Sequence, residues 1–195
     1  MHSDSCTKNV THEIPPVWNA ESRVLLLGTM PSPASRKAGF FYMHGQNRFW
    51  RVLPAVFRET FETASNSLPR SANANETEII EYTKSAIAER REFLLRHKIA
   101  LWDVLSSCDI TGASDASIKN AVPNDFTEIF TKSKIRRVFC TGKTAFNFWK
   151  KHCAKRYETQ FGVRAECLPS TSPANAKWVL KMLVAEYSRI LEWLK

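Results

Sequence analysis

Val24-Leu25-Leu26-Leu27-Gly28 is a run of four branched aliphatic side chains closed by a glycine. Successive side chains of a strand point to opposite faces, so a run with no polar alternate predicts a strand buried on both sides, the condition of a parallel sheet. Three further runs read the same way: Ile99 to Leu105, Val138-Phe139-Cys140 ended by Thr141-Gly142, and Val163 to Leu168. Helical periodicity fills the intervals. Phe49, Trp50, Leu53 and Phe57 follow a capping Asn47 at 3-4 spacing, with Pro54 expected to distort or restart that helix. Ile79, Ile80, Ile87, Phe93 and Leu94 predict one or two amphipathic helices between Thr77 and His97. Shorter helical stretches are predicted at about 115–120 and 124–132, then a helix over 143–156 and a final one reaching Leu194. Strands alternating with helices imply a parallel, three-layered α/β fold with right-handed crossovers. Ligands of such folds sit beyond the C-terminal strand ends, which nominates the loops 28–46, 103–112, 141–143 and 169–175.

The 195 residues fit a single domain spanning 1–195, and 44% hydrophobic residues exclude wholesale disorder. Residues 1–22 read as an irregular leader in which Pro15-Pro16 enforces extended backbone, and 60–76 as a mobile polar insertion. Charge is the unusual feature. Lys and Arg total 28 against 19 Asp and Glu, a net +9, and such an excess points to a polyanion, most commonly nucleic acid. The segment 132–164 holds ten basic side chains and one acid, Glu158, and so carries the whole excess. No run of eighteen apolar residues and no secretory signal is visible, so the expectation is an intracellular protein without a membrane partner, cytoplasmic or nuclear. The five cysteines lack a C-x-x-C pair and the five histidines lack H-x-x-x-H spacing, so no disulfide framework, metal site or cofactor is expected.

Thr141-Gly142-Lys143-Thr144 follows a strand as a phosphate-binding loop does, but Arg137 stands where that motif needs its first glycine. What remains is a helix N-terminus with Lys143, a seat for a backbone phosphate or a plain strand-to-helix turn. Phe40-Phe41-Tyr42-Met43-His44-Gly45-Gln46-Asn47-Arg48-Phe49-Trp50 is the densest aromatic and polar segment. Phe49 and Trp50 are expected in the core. Tyr42 lies in the loop, where a ring can stack on a flipped base, and Asn47 caps the helix, holds a water, or both. The small-residue loop Pro169-Ser170-Thr171-Ser172-Pro173-Ala174-Asn175 either approaches DNA closely or simply caps a helix. Asp103 ends a buried strand, where its carboxylate is either satisfied structurally or faces a site.

Taken in order, Leu25 to Ser32, Gly39 to Trp50, Ala100 to Leu105, Ile118-Lys119-Asn120, Pro123 to Phe126, Thr141 to Ala145 and Leu168 to Asn175 resemble the uracil-DNA glycosylase superfamily, and most closely its hypoxanthine-DNA glycosylase branch. The resemblance implies a three-layer α/β/α sandwich on a four-stranded parallel sheet and hydrolysis of the N-glycosidic bond of a damaged deoxynucleotide without a metal. Most of the superfamily keeps Asp or Asn two residues after the first-motif glycine; here that position is Met30, whose thioether neither accepts a proton usefully nor orients water. In the hypoxanthine branch the Asn of the aromatic loop is thought to serve instead, which maps onto Asn47. Ser170 stands where the classical uracil enzymes have His, and Asp103 lines up with their base-reading Asn.

The resulting expectation is a monomeric, monofunctional DNA glycosylase of base excision repair, acting on hypoxanthine or on uracil. It would flip the deaminated base onto Tyr42 and read it with Thr29, Met30, Ser32, Phe40, Asp103 and Ser170. Asn47 is the expected catalytic residue, orienting water towards C1′, while Lys143, Ser172, Pro173, Ala174 and Asn175 grip the DNA or fill the vacated stack. The alternative is a non-catalytic DNA-binding protein on a decayed glycosylase fold, favoured by Met30 and opposed by the joint presence of Tyr42 and Asn47.

Overall fold

In the computed structural model, which describes residues 7–63, 75–111 and 115–195, the chain runs through β1 (Thr7–Thr11), β2 (Val24–Gly28), α1 (Pro33–Ala38), α2 (Phe49–Val56) and α3 (Glu76–Arg96). Then come β3 (Ile99–Asp103), β4 (Leu105–Thr111), a 3-10 turn (Asp115–Ser117), β5 (Lys119–Pro123) and α4 (Thr127–Lys132). The chain closes with β6 (Arg137–Thr141), α5 (Lys143–His152), α6 (Ala154–Phe161), β7 (Arg164–Leu168), α7 (Leu180–Tyr187) and a 3-10 stretch (Ser188–Trp193). The aliphatic run is an inner strand of a four-stranded parallel sheet ordered β3-β2-β6-β7.

Its side chains divide between two cores. Val24 and Leu26 join Ile99, Leu101, Phe139 and Leu168 under α2, α3 and α7, where Phe49, Leu53, Phe93, Leu94, Leu183 and Tyr187 cover them. Leu25 and Leu27 face the other way, with Ala100, Val138 and Cys140, against Ile129 and Phe130 of α4, Ala145 and Trp149 of α5 and Tyr157 of α6. All four aliphatics are fully buried, each worth about 1.5–3 kcal/mol. Helices on both faces of the sheet make the three-layer α/β/α sandwich.

Several expectations need correction. The leader is not irregular throughout: the β-branched pattern Thr7-Lys8-Asn9-Val10-Thr11 pairs antiparallel with β4. The run Ile99 to Leu105 is not one strand; it breaks at Val104, whose amide donates to Gly28 O (2.9 Å), and continues as β4 of a second, antiparallel sheet ordered β1-β4-β5. Residues 119–123, expected to be partly helical, form its edge strand. Pro54 does not restart α2, because the helix ends two residues later and the missing amide falls in its last turn. The helix expected over 143–156 divides at Cys153, and the last helix tightens to 3-10 after Tyr187. Asn75 opens α3 with a capping box to Glu78; most of the expected insertion, 64–74, lies outside the described residues. No described helix is long and apolar enough to cross a membrane.

The basic segment is less bare than its sequence. Lys132 pairs with Glu128 (2.8 Å), Lys134 with Glu21 (2.6 Å), Arg137 with Glu166 (3.3 Å) and Arg156 with Asp125 (3.7 Å), all acids from outside 132–164.

Candidate functional site

The order of strand addition reverses at β2: the chain goes first to β3 on one side and later to β6 on the other, leaving a crevice at the C-terminal end of β2. In register there are Gly28 beside Asp103 on β3 and Thr141 beside Leu168 across β6 and β7. Over these ends lies a pocket of about 440 Å³ lined from all four nominated loops, together with Asn47 and Asp115. That volume holds a nucleoside-sized ligand.

The loop after β2 is shaped by Ser32, whose hydroxyl accepts from the Ser35 amide (3.2 Å) and so caps α1, with Pro33 preset at the first turn. Gly39, at φ 68°, ends the helix and turns the chain into the aromatic loop. There Tyr42 adopts φ 57°, a left-handed conformation uncommon for an aromatic residue. Two contacts hold it: its ring stacks on Phe49 (3.9 Å, 11°), and its hydroxyl hydrogen-bonds that of Thr141 (2.7 Å). Burial, with the Asp103 charge beside it, pushes the Tyr42 phenol well above its ordinary range.

Asn47 Oδ1 accepts from the Phe49 amide (3.0 Å) and from the Thr171 hydroxyl (2.8 Å), so one side chain satisfies the start of α2 and ties it to the loop after β7. The neighbouring Arg48 completes that tie. Its guanidinium donates to the carbonyls of Thr171 (3.2 Å), Ser172 (2.6 Å), Asn175 (3.1 Å) and Trp178. Asn175 Nδ2 in turn donates to Ser170 O (2.9 Å), and the Tyr187 hydroxyl to Pro169 O (3.0 Å).

Asp103 is 3% exposed, and its Oδ2 is enclosed without a hydrogen-bond partner. An added Cβ at Gly28 would fall 2.2 Å from Asp103 Oδ1 and 2.9 Å from the Tyr42 hydroxyl, so the glycine is what lets the two groups approach. Burial first, and the Asp115 charge second, push the Asp103 carboxyl up to about 8. A folded state that keeps a proton the unfolded chain loses near pH 4 becomes less stable as pH rises from about 4 to about 8. Asp103→Asn removes this loss. Melting curves are therefore expected to show the variant gaining on the wild type by several kcal/mol between pH 4 and pH 8, at about 1.4 kcal/mol per unit. Parallel curves would place the proton elsewhere.

Of the residues nominated from sequence, Thr29, Met30, Ser32, Tyr42, Asn47, Asp103, Ser170, Ser172, Ala174 and Asn175 line the pocket. Phe40 does not: it is 2% exposed and stacks on Trp50 (5.8 Å), because the aromatic loop turns its side chain into the core. Pro173 is exposed outside the lining, and Lys143 is exposed at the first turn of α5, beside Gly142, which packs on Ser170. The sequence reading missed Arg48, Thr171, Arg36 and Asp115. Only Arg48 had a visible signal, a cation placed among aromatic residues at the head of an apolar helix. Among the described residues, no group of three or more His, Cys, Asp or Glu is arranged to hold a metal.

Residues 15–195 match the family model of the uracil DNA glycosylase superfamily. A protein of Methanosarcina barkeri named hypoxanthine DNA glycosylase is 28% identical over 164 residues, 84% of this chain and 87% of that one. One of the same name from Methanosarcina acetivorans is 24% identical over 165 residues, with the same shares. The solution NMR structure of a candidate uracil DNA glycosylase from Methanosarcina acetivorans superposes with a TM-score of 0.64 at 22% identity, covering 93% of this chain and 98% of that one. That likeness shows a shared fold.

Proposed function

The chain belongs to the uracil DNA glycosylase superfamily and is a DNA glycosylase, a hydrolase of N-glycosyl bonds in deaminated DNA; from that premise we propose that its preferred base is hypoxanthine. The observation that carries the proposal is the pocket at the end of β2: about 440 Å³, with a small hydroxyl at Ser170 where an imidazole would narrow it for a pyrimidine, and an apolar thioether at Met30 in place of a carboxylate or amide. The names of the two Methanosarcina relatives agree with a purine substrate.

In this reading the damaged nucleotide leaves the duplex and its base lies on the face of Tyr42 that Phe49 does not cover. Cleavage builds positive charge on the sugar and negative charge on the departing base. Asn47 holds the attacking water near C1′. The two donors on its Oδ1 fix the amide plane, so the water is held in one place rather than many. Lys143 and the loop from Ser172 to Asn175 take the flanking phosphates and the space the base vacates. Every residue lining the pocket comes from this chain, so the proposed site needs no residue from a second copy, and the substrate puts the protein where cellular DNA is.

The test uses duplex oligonucleotides carrying one inosine or one uracil, with alkali to break the strand at abasic sites. Breakage at inosine, faster than at uracil, is expected. Preference for uracil would overturn the assignment of the base.

A further inference from the structure

Asp103 differs from the other polar groups of the pocket in having nothing to hold its charge. Its carbonyl side of the chain is satisfied, since Asn124 Nδ2 donates to the backbone oxygen (2.9 Å), but carboxyl Oδ2 has no partner and Oδ1 is pressed over Gly28. The ionisable groups facing it are Tyr42 from the aromatic loop and Asp115 from the 3-10 turn, and neither is a cation. Arg36 of α1 lines the same pocket, yet its guanidinium donates to Pro31 O (2.7 Å). No salt bridge reaches Asp103 among the described residues. A carboxylate so enclosed, with a second acid beside it, keeps its proton.

We propose that Asp103 is a catalytic residue that works as a neutral carboxylic acid, donating a hydrogen bond from its hydroxyl to the departing base. The inference rests on the assignment of hypoxanthine as substrate and adds the protonation state that the site requires. When the C1′–N9 bond breaks, its electron pair goes to the purine and spreads to the ring nitrogens and the exocyclic oxygen. An ionised carboxylate at the base edge would repel that charge, whereas a neutral acid stabilises it and strengthens its hydrogen bond as the charge grows. Protons balance without consuming the acid. Water attacks C1′ and releases one proton to solvent, the purine anion takes one up, and Asp103 keeps its own. A buried acid held neutral so that it can donate is an established device of enzymes that stabilise oxyanions.

The test is single-turnover cleavage of an inosine duplex, with saturating protein, between pH 6.5 and pH 9, for the wild type and Asp103→Asn. The amide preserves a donor and an acceptor but does not titrate. The variant is expected to cleave measurably but more slowly than the wild type at pH 7, because an amide N–H is a weaker donor than a carboxylic O–H. With the carboxyl at about 8, the ratio of variant to wild-type rate should rise about tenfold between pH 7 and pH 9. Taking the ratio cancels the titration of the substrate's own N1–H. A constant ratio, or a folded Asn variant inactive at every pH, overturns the inference while wild-type cleavage leaves the substrate assignment standing. If the variant does not fold, Asp115→Asn serves: loss of the neighbouring charge should move the alkaline fall to lower pH, and an unmoved fall overturns the inference. Absence of wild-type inosine cleavage at every pH overturns both.

Discussion

Gly28→Ala is expected to reduce single-turnover cleavage of an inosine duplex by at least about a hundredfold and to lower stability by about 1–3 kcal/mol. The reason is space, not backbone conformation. Gly28 ends β2 with β3 paired beside it, and the new methyl group would sit 2.2 Å from Asp103 Oδ1 and 2.9 Å from the Tyr42 hydroxyl. Neither neighbour can yield cheaply. Asp103 is 3% exposed, and Tyr42 is fixed by Phe49 on one face and by Thr141 at its hydroxyl. Relief must come from moving the carboxyl out of its enclosure or tilting the ring, and both displace groups that the proposed reading sets against the base. Rates from inosine oligonucleotides and a denaturant titration measure the two effects. A fully active alanine variant would mean that the pocket floor is not where the base sits.

Asn47→Ala is expected to lower turnover by at least about a hundredfold while most affinity for the duplex is kept, the loss falling on the positioning of water rather than on the grip of the backbone. It also removes the acceptor shared by the Phe49 amide and the Thr171 hydroxyl, at a cost of about 1 kcal/mol. The two consequences are separable. Asn47→Asp retains an acceptor oxygen for both donors and should recover most of the stability; if it also recovered full turnover, the amide group would have no chemical part. Cleavage rates, gel-shift affinity and melting temperature for the three proteins decide the matter, and unchanged cleavage by the alanine variant would move the catalytic role elsewhere.

The central sheet was legible because its strands are buried on both faces: Val24 to Leu27 has no polar alternate, so no other element fits it. β1 and β5 were not, since exposed strands such as Thr7–Thr11 and Lys119–Pro123 carry only weak periodicity and exist through their pairing with β4. The break at Val104 was equally hidden. Its cause is the bonds from the Val104 and Leu105 amides to Gly28 O and Thr29 O, partners more than seventy residues away. At the site, Tyr42, Asn47 and Asp103 were nominated from residue type and position, and all line the pocket. Phe40 was misplaced because adjacent aromatics in a loop give no sign of which turns inward. Asp115 escaped because nothing in Asp115-Ala116-Ser117 betrays that this 3-10 turn brings its carboxylate into the pocket beside Asp103. Arg48 is the instructive omission, since its partners are carbonyls, which every residue has and no sequence marks.

That arginine has a consequence for how the duplex is met. In the proposed reading the loop from Ser170 to Trp178 lies against the DNA; its small residues would otherwise sample many conformations, and ordering them on contact would subtract from affinity. Four of its carbonyls are instead already gathered by one guanidinium, so the entropy of ordering is charged to folding and not to binding. The loop is thus already ordered before any DNA is met. In that reading the conformational work of recognition falls on the duplex, and least on a site where deamination has already weakened pairing; the difference in deformability between damaged and sound DNA becomes part of the selection.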